Sequence, residues 1–362
     1  FLLSITDEMG GIGLEHHRSS ENQVEPGYFK KWSDGEALLD RNLLPHEFTH
    51  SWDGKFRRPD LLWTPDFRTP MQDNLLWVYE GQTQFWGYVL GARSGLFTKQ
   101  ETLDAYAQIA AKLDTTVGRQ WRPMEDTTHD PIISARRPKG WVSWQRSEDY
   151  YNEGLMIWLE ADAIIRKQTR GAKGLDEFAK AFFGVKPGDW GELVYNRQDV
   201  INTLNGIAPY DWAGFFQTYV DSPTRETPKG GFTMGGYKLV YGDTPNAITK
   251  AAEGANKIVD QSYGIGLIVK NDGEISSVIW DSPAFKAGLL VGAKIVAVNG
   301  DEYSGDVFKA AIKAKAPFQI ILKKDKYYRT LSLDYSGGLR YPRLEKTGEG
   351  EGSLDKLLKP KT

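Results

Sequence analysis

The sequence predicts an α+β chain: a strand-bearing start, a mainly helical lobe, and then a separate β-rich module. Three observations carry this. Between residues 70 and 230 apolar residues recur at helical spacing, with little alternation. From 258 to 335 short aliphatic and β-branched runs are punctuated by Gly and by Asn299-Gly300, a strong hairpin signal. The 362 residues are a prior for two or three units, and 40% apolar with 26% charged residues is the profile of a soluble globular protein.

Taken in order, residues 1 to about 30 read as a strand, a Gly-rich turn and a polar loop. The opening Phe1-Leu2-Leu3-Ser4-Ile5-Thr6 reads as a strand already inside a domain, so further sequence is expected upstream, with any targeting segment lost along with it. Residues 35–56 carry a helical pattern in Leu38, Leu39, Leu43, Leu44, Phe48 and Trp52. Pro45 interrupts it, and because proline is tolerated in a first helical turn, a helix is expected to begin there. A Pro-, Arg- and Asp-rich loop follows over 56–70. The next helix is predicted over about 72–92 from Leu75, Leu76, Tyr79, Phe85, Trp86 and Val89. Further helices are expected near 99–114, 148–169, 174–184, 198–205 and 210–220. The expected division is 1–250, 255–338 and a charged flexible tail over 339–362.

Composition excludes several functions. The net charge of -3 gives no electrostatic case for nucleic acid or an anionic membrane. No apolar run approaches the roughly 20 residues of a membrane helix. The absence of Cys excludes disulfides, thiolate metal sites and a Cys nucleophile.

His46-Glu47-Phe48-Thr49-His50 is an H-E-x-x-H motif. On a helix, positions i and i+4 share a face, so both imidazoles reach one ion. Glu47 stands about 100° round the helix from His46. Zinc lowers the pKa of water, and a carboxylate so placed can take the proton during attack on a peptide carbonyl. Only five His occur in the chain, so this spacing is informative. A catalytic zinc site wants three protein ligands and an open position. A third His in the H-E-x-x-H-x-x-G-x-x-H pattern is ruled out, because Asp53 and Phe56 stand where that pattern needs Gly and His. The candidates are acidic residues downstream: Asp60, Asp66, Asp73 and Glu80. Asp60 and Asp66 sit in Pro-rich loop. Glu80 is a charge inside the apolar helical stretch Leu75-Leu76-Trp77-Val78-Tyr79-Glu80-Gly81, and a buried carboxylate needs a partner.

With these residues in view, the chain resembles the glycyl aminopeptidase family, the PDZ-containing gluzincin zinc peptidases with a thermolysin-like catalytic domain. The matching segments are Gly10-Gly11-Ile12-Gly13-Leu14-Glu15-His16, His46 to Trp52, Arg57-Arg58-Pro59, Leu76 to Gly81, Tyr150-Tyr151-Asn152-Glu153-Gly154 and the C-terminal module. The resemblance implies one Zn2+ per chain, held by His46, His50 and Glu80, with Glu47 as base. It implies that Gly13, Leu14 and Glu15 line the substrate cleft, Glu15 binding the free α-amine through a charge-assisted hydrogen bond. Ile12 departs from the pattern, since a second adjacent Gly is common there. Tyr151 matches the Tyr that donates to the oxyanion, with Tyr150 its neighbouring rival. His16 falls near the substrate by the same match, while His17 and His129 read as surface histidines.

The C-terminal module resembles a PDZ domain. Gly264-Ile265-Gly266-Leu267 looks like its carboxylate-binding loop, and Asp281 to Leu289 and Val291 to Gly300 match its middle. Such a groove takes a peptide C-terminus by strand addition. All five His precede residue 130, so the groove-helix His that selects Ser or Thr ligands is absent.

The implied activity is removal of the N-terminal residue, Gly or Ala favoured, from peptides with a free N-terminus, in the periplasm or outside the cell. The alternatives are an endopeptidase using the same metal site and a PDZ-centred peptide-binding protein.

Overall fold

The computed structural model describes residues 1–30, 32, 35–130, 141–189, 191–224 and 226–361. It mixes helix and sheet in the order the sequence predicts. The opening residues form a three-stranded sheet from β1 (Leu2–Ile5), β2 (Gly13–Glu15) and β3 (Ser20–Val24), in the spatial order β1-β3-β2. β3 pairs parallel to β1 and antiparallel to β2, which leaves β2 on the edge.

Two short helices follow, α1 (Gly35–Asp40) and α2 (Leu43–Thr49). The α2 helix starts two residues before the expected Pro45. Proline still falls in the first turn, where its missing N–H costs no intrahelical bond. A short strand, β4 (Arg57–Pro59), leads to the long α3 (Leu76–Ser94) and α4 (Lys99–Thr115). Gly95 ends α3 at φ 81°, and Thr98 with Glu101 forms a reciprocal capping box that starts α4. The α5 helix (Asp149–Gln168) crosses α3 at the centre of the lobe. There Trp77 stacks on Trp158 with centroids 5.9 Å apart, and the Trp158 indole donates to the Trp77 carbonyl at 2.9 Å. Each such fully buried aromatic contributes about 1.5–3 kcal/mol through the area it removes from water.

The lobe is completed by α6 (Leu175–Phe182), β5 (Leu193–Tyr195, parallel to β4), α7 (Arg197–Ile207), α8 (Trp212–Phe216) and α9 (Gly230–Gly235). The β6 strand (Tyr237–Gly242) and α10 (Ala247–Asn256) lead out of it.

The remaining strands build a second core. An antiparallel sheet joins β7 (Ile258–Gln261), β8 (Leu267–Lys270) and β9 (Ile275–Val278). After the short α11 (Pro283–Lys286), a second sheet has the order β11-β10-β12-β13, from β10 (Lys294–Val298), β11 (Asp301–Glu302), β12 (Phe318–Lys324) and β13 (Tyr327–Leu333), with α12 (Gly305–Lys313) between β11 and β12. Asn299 and Gly300 both take positive φ, 50° and 93°, as the Asn-Gly signal requires of a tight hairpin. This core, from Val259 to Leu333, is a hydrophobic cluster distinct from that of the helical lobe.

The stretch from 339 departs from expectation. In place of a flexible tail, β14 (Tyr341–Lys346) pairs antiparallel with β6 and α13 (Ser353–Leu358) docks on the helical lobe. Leu354, Leu357 and Leu358 join the main core. Their i, i+3, i+4 spacing is an apolar helix face that the surrounding Gly, Glu and Lys obscure. Among the described residues, no helix is long and apolar enough to cross a membrane.

Candidate metal centre

The α2 and α3 helices pack side by side, and a lack of side chain at Gly87 lets them approach. A Cβ there would stand 2.3 Å from the Asn42 Oδ1 and 3.3 Å from the His46 Cβ. Facing this contact, His46 and His50 on α2 meet Glu80 on α3. The two Nε2 atoms are 3.0 Å apart, and Glu80 Oε2 lies 3.4 Å from His46 Nε2 and 3.3 Å from His50 Nε2. Donors bonded to a tetrahedral ion at about 2.0–2.1 Å are about 3.3 Å from each other. The triangle therefore has the dimensions of one face of such a site. Among the described residues, this trio is a group able to hold a metal ion.

The imidazole tautomers agree. The His50 Nδ1–H donates to the Asp53 carbonyl at 3.0 Å, and the His46 Nδ1–H donates to Gln84 Oε1 at 3.0 Å. Each ring thus turns its Nε2 toward Glu80, the orientation that a ligand histidine needs. Gln84 is itself fixed, accepting from Asn42 at 2.8 Å and donating to Asn152 at 3.2 Å.

The electrostatics call for a cation. Burial would raise the Glu80 carboxyl, but His50 and the hydrogen bonds from both imidazoles hold it well below the usual carboxylate range. Burial would lower His50, yet Glu80, Glu15 and Glu47 push it up to about 9. Three carboxylates thus surround the imidazoles, and a dication answers that charge with the proton released.

Glu47 is buried, with Oε2 lacking a hydrogen-bond partner. Burial raises its pKa, His46 and His50 oppose this, and Glu15 and Glu80 add to it. It lies against the backbone of β2, where a Cβ on Gly13 would come within 2.5 Å of its Oε1. The glycine is what lets strand and carboxylate touch. At the end of the same strand, Glu15 accepts from the Tyr79 hydroxyl at 2.5 Å and stands 3.4 Å from Lys55 Nζ. Burial would raise its pKa, but His50, Tyr79 and Lys55 outweigh this and lower it.

The structure separates the two tyrosines at the start of α5. The Tyr151 ring lies 6.0 Å from that of His46, while Tyr150 is buried in the hydrophobic core. Leu14 is exposed on β2, His16 pairs at the surface with Glu21, and His129 is exposed. Gly264 to Leu267 sit in the second module, with Ile265 and Leu267 fully buried. Gln84, Asp53 and Tyr79 escaped the sequence reading. For Gln84 there is a signal, because Glu80, Thr83, Gln84 and Gly87 recur at 3- and 4-residue spacing along α3; Asp53 and Tyr79 have none.

Residues 40–157 match the family model of the M61 glycyl aminopeptidases. The matched segment is about a third of the chain. It contains His46, Glu47, His50, Glu80 and Tyr151, and M61 peptidases are generally metallopeptidases acting on peptides. No curated protein matches the chain. A crystal structure of an aminopeptidase N family protein from Idiomarina loihiensis is similar over 99% of this chain, with TM-score 0.77 and 19% identity. At that identity the likeness is one of fold. The chain spans 62% of that protein.

Proposed function

We propose that this chain is a zinc aminopeptidase that removes the N-terminal residue of peptides, with Gly or Ala favoured as in the family it resembles. The observation that carries this is the triangle of His46, His50 and Glu80 donors beside an unpartnered Glu47 carboxylate, with Glu15 held at the end of the adjoining edge strand. His46, His50 and Glu80 would hold the ion. Zinc in such a site lowers the pKa of water and polarises a carbonyl.

The other roles belong to the chain's own groups. Glu47 takes the proton of the attacking water through its free Oε2 and passes it to the leaving amine. The Tyr151 hydroxyl donates to the oxygen on which charge develops, and burial keeps that phenol protonated. The outer edge of β2 offers Gly13 and Leu14 backbone to an extended substrate. Glu15 ends that edge, so an α-ammonium paired with it fixes the first residue in register and stops longer chains from sliding through.

The lobe over 1–250 is read as thermolysin-like and the module over 255–338 as a PDZ-type domain. On family resemblance alone, the proposed location is the periplasm or the outside of the cell.

The test is hydrolysis of Gly- and Ala-p-nitroanilide by zinc-loaded protein, beside an N-acetylated substrate. Cleavage of free-amine substrates only, lost in Glu47→Gln and Glu15→Ala, supports the reading. Equal cleavage of capped substrates would replace it with an endopeptidase at the same site.

A further inference from the structure

A PDZ-type module receives a peptide as an extra strand along its second strand, with loop amides holding the terminal carboxylate. In this chain β8 follows the Gly264–Gly266 loop and has two edges. β9 takes one. β7 takes the other, with Ile258 opposite Lys270, Val259 opposite Val269, Asp260 opposite Ile268 and Gln261 opposite Leu267. We infer that residues 258–261 are a permanent occupant of the module's peptide groove, and that the groove serves as a joint to the helical lobe in place of a receptor for free C-termini.

Three further contacts fit an occupant. The Gly264 and Gly266 amides donate to the Gln261 carbonyl at 3.2 and 3.0 Å, so an internal oxygen stands where a terminal carboxylate would. Val259 is 3% exposed and lies in the core with Phe308 and Ile312 of α12. A Cβ on Gly305, at the start of that helix, would stand 3.0 Å from Val259 Cγ2. The side-chain pocket between β8 and α12 is thus filled from within the chain.

The occupant is also tethered. Glu253, on α10, accepts from the Asp260 amide at 2.9 Å and pairs with Lys309 of α12 at 2.8 Å. α10 itself packs Ile248 and Ala251 against Leu38, Phe97 and Ala105 of the helical lobe. Peptide addition would have to strip a strand that both units hold. The tethered strand has an effective concentration of about millimolar or more at this edge, which makes a free peptide a poor competitor.

The inference uses the proposed PDZ reading only to say which edge a peptide would take. Its test involves no hydrolysis, so it stands or falls apart from the peptidase reading. The chain has no Cys, so a pair placed by Asp260→Cys and Ile268→Cys reports pairing cleanly. The Asp260 amide points to Glu253, which makes this the closer, non-hydrogen-bonded pair. Full-length protein carrying the pair should cross-link on mild oxidation. In unmodified protein, the amides of 258–261 that face β8, those of Val259 and Gln261, should exchange as slowly as the paired amides of 267–270. A fluorescein-labelled heptapeptide ending in a free Val should not bind up to about 1 mM. Fast exchange over 258–261 beside a protected β8, failure of the cross-link, or peptide binding that deprotects 258–261 would each overturn the inference.

Discussion

Gly81 and Gly154 meet face to face where α3 crosses α5. A Cβ on Gly154 would lie 2.7 Å from the Gly81 Cα, and one on Gly81 would lie 2.9 Å from the Gly154 Cα. This crossing sets the distance between Glu80 on one helix and Tyr151 on the other, because each glycine is within three residues of the side chain it serves. A methyl group at either position must push the backbones apart. Gly154→Ala is therefore expected to cost about 1–3 kcal/mol of stability through overpacking. It should also lower kcat more than it raises KM, since it shifts Tyr151 relative to His46 and so from its proposed place at the reacting carbonyl. Thermal melts and steady-state kinetics on the zinc-loaded protein check both, and an unchanged kcat would uncouple the crossing from the site.

Glu47 has a buried Oε2 with no hydrogen-bond partner, and its carboxylate lies within 4.8 Å of ligand atoms of His50 and Glu15. Glu47→Gln keeps the shape and removes the proposed base. The expected loss in kcat is about 10²–10⁴-fold, with zinc content unchanged by metal analysis. A parallel loss of zinc would move Glu47 from base to ligand.

Gln84 holds the His46 ring by its Nδ1–H at 3.0 Å, and so fixes which nitrogen faces the proposed ion site. Gln84→Leu removes that acceptor and should weaken zinc binding by about 10–100-fold, the usual cost of losing a ligand's supporting hydrogen bond. Gln84→Glu keeps an acceptor and should restore most of the affinity. Competition against a chromophoric chelator measures both, and equal affinities for wild type and Gln84→Leu would remove Gln84 from the site.

Tyr79 donates to Glu15 while Gly54 makes room for its ring, a Cβ on Gly54 falling 2.3 Å from the Tyr79 ring atoms. Tyr79→Phe leaves the packing and frees the carboxylate. A hydrogen bond to a charged group contributes about 1.5–3 kcal/mol, so kcat/KM for a free-amine substrate should fall about tenfold or more, mainly in KM. If it falls equally for a capped substrate, the effect lies in the metal centre and not in amine recognition.

The parts of the site legible in sequence are those with a spacing or a misfit. His46 and His50 show as i and i+4, and Glu80 as a charge in an apolar run. Tyr79 and Asp53 carry no such mark, because a Tyr on a helix or an Asp in a turn has many ordinary uses, and Gln84 shows only by its spacing from Glu80. Glu15 came from resemblance, and its partners Tyr79 and Lys55 could not be read at all. In the fold, periodicity located the helices, while β14 and α13 were hidden behind charge and Gly. Their pairing with β6 and the helical lobe is a long-range contact that no local pattern reports. The closure of β8 by β7 is similarly invisible, since Ile258–Gln261 reads as one more short strand until its neighbour is known.

The docking of α13 depends on Asp355, which gives the fold an acid-sensitive clasp. Its carboxylate accepts from Lys99 at 2.7 Å, the Tyr237 hydroxyl at 2.7 Å and the Gly352 amide at 2.9 Å, and pairs with Lys346 at 3.0 Å. Burial alone would raise its pKa, but these partners outweigh it and hold the carboxyl well below the usual carboxylate range. A depressed pKa means that the folded chain favours the ionised form. The stabilisation is thus fully present above the unfolded-chain value of about 3.9, and it is lost as pH falls from there through the folded-state pKa. Asp355→Asn should be less stable than wild type at pH 6, and the gap between the two should close on acidification below about pH 4. Urea titrations of both proteins across that range measure the gap, and the metal centre, common to both, cancels in the difference. Hydrogen exchange over 341–358 should show the same convergence. A gap that stays constant down to the lowest pH would mean that the Asp355 charge does not hold the C-terminal elements, and that Leu354, Leu357 and Leu358 do so alone.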